Sequence, residues 1–378
     1  GSEMCIRDRT WTEIRLDNLE HNYQVLRACA PQSKFLGVVK ANAYGHGAEE
    51  VAHKLQQLGA DYLAVACLNE ATELRQSGIT MPILILGATP AEFAPQVVEH
   101  DLTQAVFTPE LAQALSQAAV AQGKRAKIHV KLDTGMSRLG ILAHDPAQAA
   151  RQVDALCALD GLEAEGIFTH FANADGDEGY TMEQFTRFLD TLDVLKNTYG
   201  RTFQLRHCAA SAAVLNFPCT HLDMVRPGIA LYGYLPDPSC QGLDAGELWP
   251  VMTLKTRVAA VRELPGDTPV SYGCTQHMPA SGGRVAVLPV GYADGLHRVL
   301  SGQGTVLVGG QERPIVGRVC MDMCMVALQE EDQVQPGDEV ELFGAHHSLE
   351  DMDQLAGTIP YELLCAVSPR VPRLYRGA

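Results

Sequence analysis

Lys40, Arg138, His170, Ser211 and Arg226 each follow an apolar run, and their types suit one coordinated chemistry. Lys40 closes FLGVVK, which is apolar and β-branched as a buried strand should be, and leads into ANAYGHG. A cation at the end of a buried strand must be paired, neutral or covalently used. Taken alone, Lys40 reads equally well as a lysine snorkelling out of a strand end. Ser211 in HCAAS, with Gly228 and Ile229 in RPGIALYG, offers a hydroxyl and close-approaching backbone N–H groups, the makings of a phosphate cradle. No GxxxxGK[ST] occurs, so a nucleoside triphosphate is not indicated. A reactive lysine facing a phosphate cradle suits pyridoxal phosphate, whose aldehyde condenses with an amine and whose phosphate anchors it.

Such residues need a scaffold that gathers successive strand ends. Apolar runs at 35–40, 61–66, 82–87, 103–107, 126–133, 163–171, 203–207 and 224–233 alternate with helical stretches such as NEATELRQSG and MEQFTRFLDTLDVLKNTYG. This pattern predicts an α/β fold, a closed eight-stranded (β/α)8 TIM-like barrel over residues 13–238. In that fold chemistry sits at the C-terminal strand ends, and the loops after strands 7 and 8 bind phosphate. A doubly wound open sheet is the competing arrangement, but no GxGxxG follows the first strand. PDPSCQGLDAGELWP (236–250) has turn residues without period and reads as a linker. Beyond it, short β-branched segments between glycines and prolines predict a smaller, mainly antiparallel β domain over 239–378. Residues 1–12 read as a remnant of cloning and an N-terminal strand, charged and without a signal-peptide core.

The 378 residues call for more than one ordinary domain. A formal charge of −16 argues against nucleic acid or anionic membranes as partners. No apolar run approaches the ~20 residues that span a bilayer. The eleven cysteines form no CxxC pair, and Cys320 and Cys324 lack a second metal-ligand pair. A reduced, cytoplasmic protein without metal or disulfide framework accounts for this.

VVKANAYGHG, DTGMSRLG, THFANAD, MVRPGIALYG, VSYG, VGYADG, VCMDM and PYE occur in the order found in alanine racemases, and from Thr10 to Tyr375 the sequence resembles that family. The resemblance implies a pyridoxal-phosphate isomerase that interconverts L- and D-alanine and supplies D-alanine for peptidoglycan. Lys40 would hold the cofactor and serve as base on one face of the substrate α-carbon, with Tyr272 on the other. Racemisation needs two such groups, since a proton leaves one face and returns on the opposite one. Arg226 would partner the ring nitrogen; arginine keeps its proton, so that nitrogen stays unprotonated and the electron sink is weak. Arg138 would lie near the cofactor phenolate and the substrate carboxylate. Lys131 matches a lysine that is often carbamylated, and a carbamate would turn a buried cation into an anion able to hold Arg138.

The resemblance further makes Tyr44 and Tyr361 phosphate-binding hydroxyls beside Ser211, Gly228 and Ile229. It places His170 against the cofactor and gives Met321 a backbone contact to the substrate carboxylate. Asp175, Tyr292, Arg298, Arg318 and Ile359 would line the access channel. It also implies a head-to-tail homodimer whose sites are composite, Tyr272 coming from the second copy. One departure stands out: the family usually has Asn before the serine after strand 7, where this chain has Ala210.

Other readings remain open on residues alone. A racemase acting on serine or larger amino acids is favoured by Ala210 and opposed by Leu139 after Arg138. A basic amino-acid decarboxylase of the same layout is opposed by Tyr272 in VSYG and by Arg226 where an acid would stand. A cofactor-binding barrel without activity would not need the domain carrying Tyr272 and Met321.

Overall fold

The computed structural model describes residues 9–240 and 246–377; residues 1–8, 378 and 241–245, the last being the middle of the expected linker, lie outside the described residues. The chain forms two compact units. One comprises Glu20–Ala43 and Ala48–Leu248; the other comprises the residues up to Leu19, Tyr44–Gly47 and Trp249 onward.

The first unit holds the parallel sheet. Its strands are Lys34–Val38, Tyr62–Val65, Ile83–Ile85, Thr103–Val106, Ala126–Asp133, Leu162–Phe168, Leu205–His207 and Met224–Val225. Each pairs parallel with the next in chain order up to the seventh, and the eighth returns to the first through Met224↔Lys34 and Val225↔Phe35. An isolated parallel bridge, Ala210↔Arg226, joins the ends of the seventh and eighth strands. A sheet that returns to its first strand is a barrel, which excludes the doubly wound alternative. Tyr62–Val65, Ile83–Ile85 and Thr103–Val106 are buried throughout, as expected of strands covered on both faces.

The intervening helices carry their own boundary signals. Pro109–Gln122 starts with the Thr108 hydroxyl accepting Leu111 N–H and stops at Gly123 in the left-handed region. Glu178–Tyr199 starts at an Asp177 cap and stops at left-handed Gly200. These stops return the chain to the sheet after each crossover.

The eighth strand is shorter than the run 224–233 suggested. Only Met224 and Val225 pair with the first strand, and Arg226 adds a single bridge to Ala210; Pro227 has no N–H to give, and Gly228 turns at φ −117°, ψ −94° into a 3-10 turn at Ile229–Tyr232. The first strand stops at Val38 and the sixth at Phe168, so Lys40 and His170 stand on the loops just beyond.

The second unit is a nine-stranded sheet in the order 260–264, 283–288, 324–328, 311–316, 305–308, 339–343, 252–257, 10–15, 373–376. Pairing is antiparallel except between Thr10–Arg15 and Arg373–Arg376. The sequence boundary put residues from 13 onward with the barrel. The contacts group the chain up to Leu19 with the β sheet, because Thr10–Arg15 pairs with Met252–Arg257 and buries Trp11 completely. Helices Leu349–Ala356 and Pro360–Cys365 complete this unit. Among the described residues no helix is long and apolar enough to cross a membrane.

Candidate active site

Lys40 is half-buried and begins a backbone turn of unusual hand. Ala41, Asn42, Ala43 and Tyr44 all adopt φ of 52–53°. A left-handed turn of non-glycine residues costs roughly 1–2 kcal/mol per residue, so the surroundings must over-determine it. Glu70 does much of this: one carboxylate oxygen accepts Ala41 N–H and the other Ala66 N–H, both at 2.7 Å. Asn42 Oδ1 accepts Ala48 N–H at 2.8 Å, and Ala43 N–H donates to Val39 O at 2.9 Å.

Arg226 is the most constrained cation of the barrel, with 3% of its surface exposed. It donates to His207 Nδ1 (2.9 Å), His170 Nδ1 (3.2 Å), Thr169 O (3.0 Å) and Cys208 O (3.3 Å). No carboxylate among the described residues lies within ion-pair distance of it. Burial draws it down to about 10, which leaves it a cation at neutral pH. Its guanidinium lies 5.4 Å from the Phe168 ring centroid, and Lys131 Nζ lies 5.5 Å from the same ring. Burial, reinforced by Arg138 and Arg226, lowers Lys131 to about 8. His170 is pushed well below the usual imidazole range by burial and then by Arg226, Arg138, Lys131 and Lys40. The barrel mouth therefore gathers four cations around one neutral imidazole.

Arg138 is exposed on a turn set by Asp133, whose Oδ1 accepts Gly135 N–H and Ser137 N–H at 3.0 Å each. Ser211 is buried, and its Oγ accepts Gly228 N–H at 2.9 Å and Ala230 N–H at 3.3 Å. It thereby ties the loops after strands 7 and 8 together and keeps its own hydroxyl proton to donate. Gly228 and Ile229 stand at the start of the 3-10 turn that follows. Asp175 lies apart, on the loop after the sixth strand, where its carbonyl accepts the Ser239 hydroxyl at 3.1 Å.

The β unit brings the remaining candidates together. Tyr272 is 71% exposed on a turn whose neighbours Ser271, Gly273 and Cys274 all have positive φ. A Cβ on Gly273 would stand 3.0 Å from the Arg318 guanidinium, so that glycine lets Arg318 pass. Ser271 Oγ donates to Arg318 O at 2.6 Å, while Tyr292 N–H and Ala293 N–H donate to Cys320 O and Met321 O at 3.0 Å. Tyr272, Arg318, Met321 and Tyr292 thus share one set of loops. The Ser301 hydroxyl accepts Val319 N–H at 3.0 Å, which draws in the turn of Arg298. Ile359 is exposed as the N-cap of the Pro360–Cys365 helix. The rings of Tyr44 and Tyr361 lie 6.0 Å apart, and burial raises Tyr44 above the usual phenol range.

Sequence reasoning missed Glu165, His129 and His207, which line the barrel interior behind Arg226. A signal was present: Lys127, His129, Lys131 and Asp133 recur at period two along one strand, placing polar groups on one face of a buried sheet. It also missed Asp294 in VGYADG, whose fully buried carboxylate is held by Arg9 at 2.6 Å and Arg370 at 2.8 Å.

Residues 14–236 match the family model described as "Alanine racemase, N-terminal domain", and residues 251–375 match "Alanine racemase, C-terminal domain". The chain is 45% identical over 377 residues to an alanine racemase of Desulforamulus reducens, covering 98% of this chain and 100% of that protein. It is 43% identical to one of Clostridium perfringens, covering 99% and 97%. Among solved structures it resembles the alanine racemase of Clostridium difficile 630, with 38% identity, a TM-score of 0.91 and coverage of 97% and 95%. The alanine racemase of Bacillus anthracis with bound L-Ala-P gives 35% identity, a TM-score of 0.90 and coverage of 98% and 96%.

Proposed function

Since this chain belongs to the alanine racemase family and interconverts L- and D-alanine, we propose that it does so with pyridoxal phosphate held by Lys40 and with Lys40 and Tyr272 as its two bases. The observation that carries this reading is Arg226, a buried guanidinium without a carboxylate partner among the described residues, which together with Arg138, Lys131 and Lys40 bears on His170. Buried positive charge of this kind, at Arg226 and Lys131, is costly unless an anion answers it. A phosphate-bearing ring with an acceptor nitrogen fits that donor set. When bound, the cofactor supplies the electron sink that makes the substrate α-proton acidic.

The residues divide the remaining work. The Ser211 hydroxyl and the Ile229 N–H would donate to the phosphate, Gly228, whose N–H is taken by Ser211 Oγ, would give the close backbone approach, and the resemblance adds the hydroxyls of Tyr44 and Tyr361. Arg226 donates to the ring nitrogen and cannot protonate it, which limits electron withdrawal and side reactions. His170, neutral and half-buried, would pack beside the ring. Arg138 and the Met321 backbone orient the substrate carboxylate. Lys40 removes or returns the α-proton on one face and Tyr272 on the other.

A second copy of the chain supplies Tyr272 in this proposal. The exposure of Tyr272, Met321, Tyr292 and Ile359 on the β unit supports it, since large apolar side chains left in water mark contact surfaces. Asp175, Arg298 and Arg318 would restrict the access channel to small substrates. Lys131 at about 8 has an appreciable neutral fraction, the form that takes up CO2 as a carbamate. The product D-alanine would serve peptidoglycan assembly, a role that suits a cytoplasmic enzyme.

A broader racemase is the one competing reading with an observation behind it, the replacement of the family asparagine by Ala210. Racemisation across a panel of amino acids separates the two. The main proposal is tested by the cofactor absorption band and its trapping by borohydride, both expected to vanish in Lys40→Ala. In Tyr272→Phe, deuterium uptake at the α-carbon should vanish for the enantiomer whose proton Tyr272 removes and persist for the one that Lys40 serves. Full bidirectional exchange in that variant would sink the two-base assignment.

A further inference from the structure

Behind Arg226 a continuous hydrogen-bonded chain runs through the barrel interior. Arg226 NH1 faces His207 Nδ1 at 2.9 Å, His207 Nε2 faces His129 Nδ1 at 2.8 Å, and His129 Nε2 faces Glu165 Oε2 at 3.2 Å. Glu165 also accepts the Tyr62 hydroxyl, and its other oxygen accepts Lys127 Nζ at 3.1 Å. Both imidazoles are fully buried. We propose that Glu165, His129 and His207 form a one-way positioning relay that locks both histidines as neutral Nε2–H tautomers and so fixes the direction in which Arg226 donates. The inference rests on the assignment of Arg226 to the cofactor ring nitrogen, and it names the residues that hold Arg226 in that role.

The ends of the chain dictate its polarity. Arginine only donates, so His207 Nδ1 must accept. A neutral His207 then carries its proton on Nε2 and gives it to His129 Nδ1. That nitrogen must be bare, so His129 carries its proton on Nε2 and donates to a carboxylate, which only accepts. Reversing any link would set two donors against each other or demand an imidazolate. Burial lowers both histidines, in line with two neutral rings, while Glu165 is held at about 2 by His129, Tyr62 and Lys127 against the opposing effect of burial.

The backbone makes room for this arrangement. A Cβ on Gly166 would stand 2.6 Å from His129 Nδ1, and the pairing of the fifth and sixth strands shifts register between Ile128 and His129. Phe168 stacks on His207 with centroids 4.7 Å apart and 5° between planes, fixing the second ring. Barrel interiors are usually filled by apolar layers. A charged and polar file here is costly unless every member is satisfied, and each is.

The test is nitrogen-15 NMR of histidine-labelled full-length protein, with and without pyridoxal phosphate, in wild type, Glu165→Gln and Gly166→Ala. Wild type should show His129 and His207 as neutral Nε2–H forms in both states. Gly166→Ala changes no relay group but displaces the His129 ring, and Glu165→Gln offers a donor as well as an acceptor. Both variants should populate Nδ1–H at His207, lower kcat roughly tenfold with little change in KM, and increase conversion of the cofactor to its amine form. Wild-type His207 found as Nδ1–H or as imidazolium overturns the relay. So does an unchanged His207 in both variants. The predicted tautomers in a protein with no cofactor band would refute the cofactor reading and leave the relay standing; a cofactor band with the wrong tautomers would refute the relay alone.

Discussion

Ser211 Oγ accepts the backbone N–H of Gly228 at 2.9 Å, so a single hydroxyl stitches the loop after the seventh barrel strand to the loop after the eighth. The same oxygen takes Ala230 N–H at 3.3 Å. Without it two buried donors on the 3-10 turn lose their acceptor. Ser211→Ala should therefore destabilise the chain by about 1–3 kcal/mol and weaken retention of pyridoxal phosphate. Thermal melts of the cofactor-free protein measure the first effect and equilibrium dialysis the second. A melt unchanged from wild type would show that the stitch contributes nothing.

Arg226→Glu replaces an obligate donor with an acid able to give its proton to the ring nitrogen. Racemisation should fall on the order of 100-fold, while conversion of cofactor to its amine form rises. Chiral analysis of alanine alongside the cofactor absorption spectrum reads both quantities. A loss of racemisation without the second change would mean that Arg226 acts only in packing.

Tyr272→Phe keeps the ring and removes the hydroxyl. If that hydroxyl is a base, kcat should fall by about 10²–10⁴-fold while the fold is unaffected, because the side chain is 71% exposed. Mixing Tyr272→Phe with Lys40→Ala chains should restore activity at mixed dimers, one of whose sites contains both intact groups. No restoration on mixing and refolding would contradict composite sites.

Lys131 should gain the mass of one CO2 when the protein is kept in bicarbonate near pH 8, where about half of its amine is neutral. Intact mass under native conditions and carbon-13 bicarbonate NMR both report it. An unmodified amine in saturating bicarbonate would remove the carbamate from the mechanism.

Acid stability should follow the buried groups. Burial alone would raise the Asp294 carboxyl, but Arg9, Arg370 and Gly291 N–H hold it below the usual range; Glu165 is lowered to about 2. A depressed carboxyl stabilises the fold above its unfolded pKa, and that contribution disappears as pH falls through the folded value. His129, His170 and His207 act at higher pH. Their folded pKa values lie below about 6.5, so below that pH the unfolded chain takes up protons that the folded chain refuses. Stability should therefore decline from about pH 6.5 downward, with the carboxylates adding to the loss in stronger acid. Denaturant melts from pH 8 to 4 check the sign. A curve rising on acidification would contradict the neutral buried histidines.

Much of the barrel was legible because its strands are short apolar runs, bounded by capped helices, at a steady spacing. Its ends were less legible. The run 224–233 reads as one strand, and only the absence of an N–H on Pro227 and the turn at Gly228 end it at Val225. The N-terminal strand was assigned by its place in the chain, whereas its partner, Met252–Arg257, lies far away in sequence. Local pattern can show that a strand exists but not which edge it joins.

By itself the sequence determined the α/β barrel, the smaller β domain and the family, because the motif order, the apolar periods and the turn residues are local properties of the chain. Lys40, Ser211 and Arg226 were recognisable from the strand ends they follow. Only the tertiary structure decided that Arg226 is buried without an acid among the described residues, that Ser211 holds Gly228, and that Glu165, His129 and His207 line up behind the guanidinium. Those relationships arise where strands distant in the chain close into a ring, since burial and the obligation to satisfy each buried donor are properties of the closed barrel.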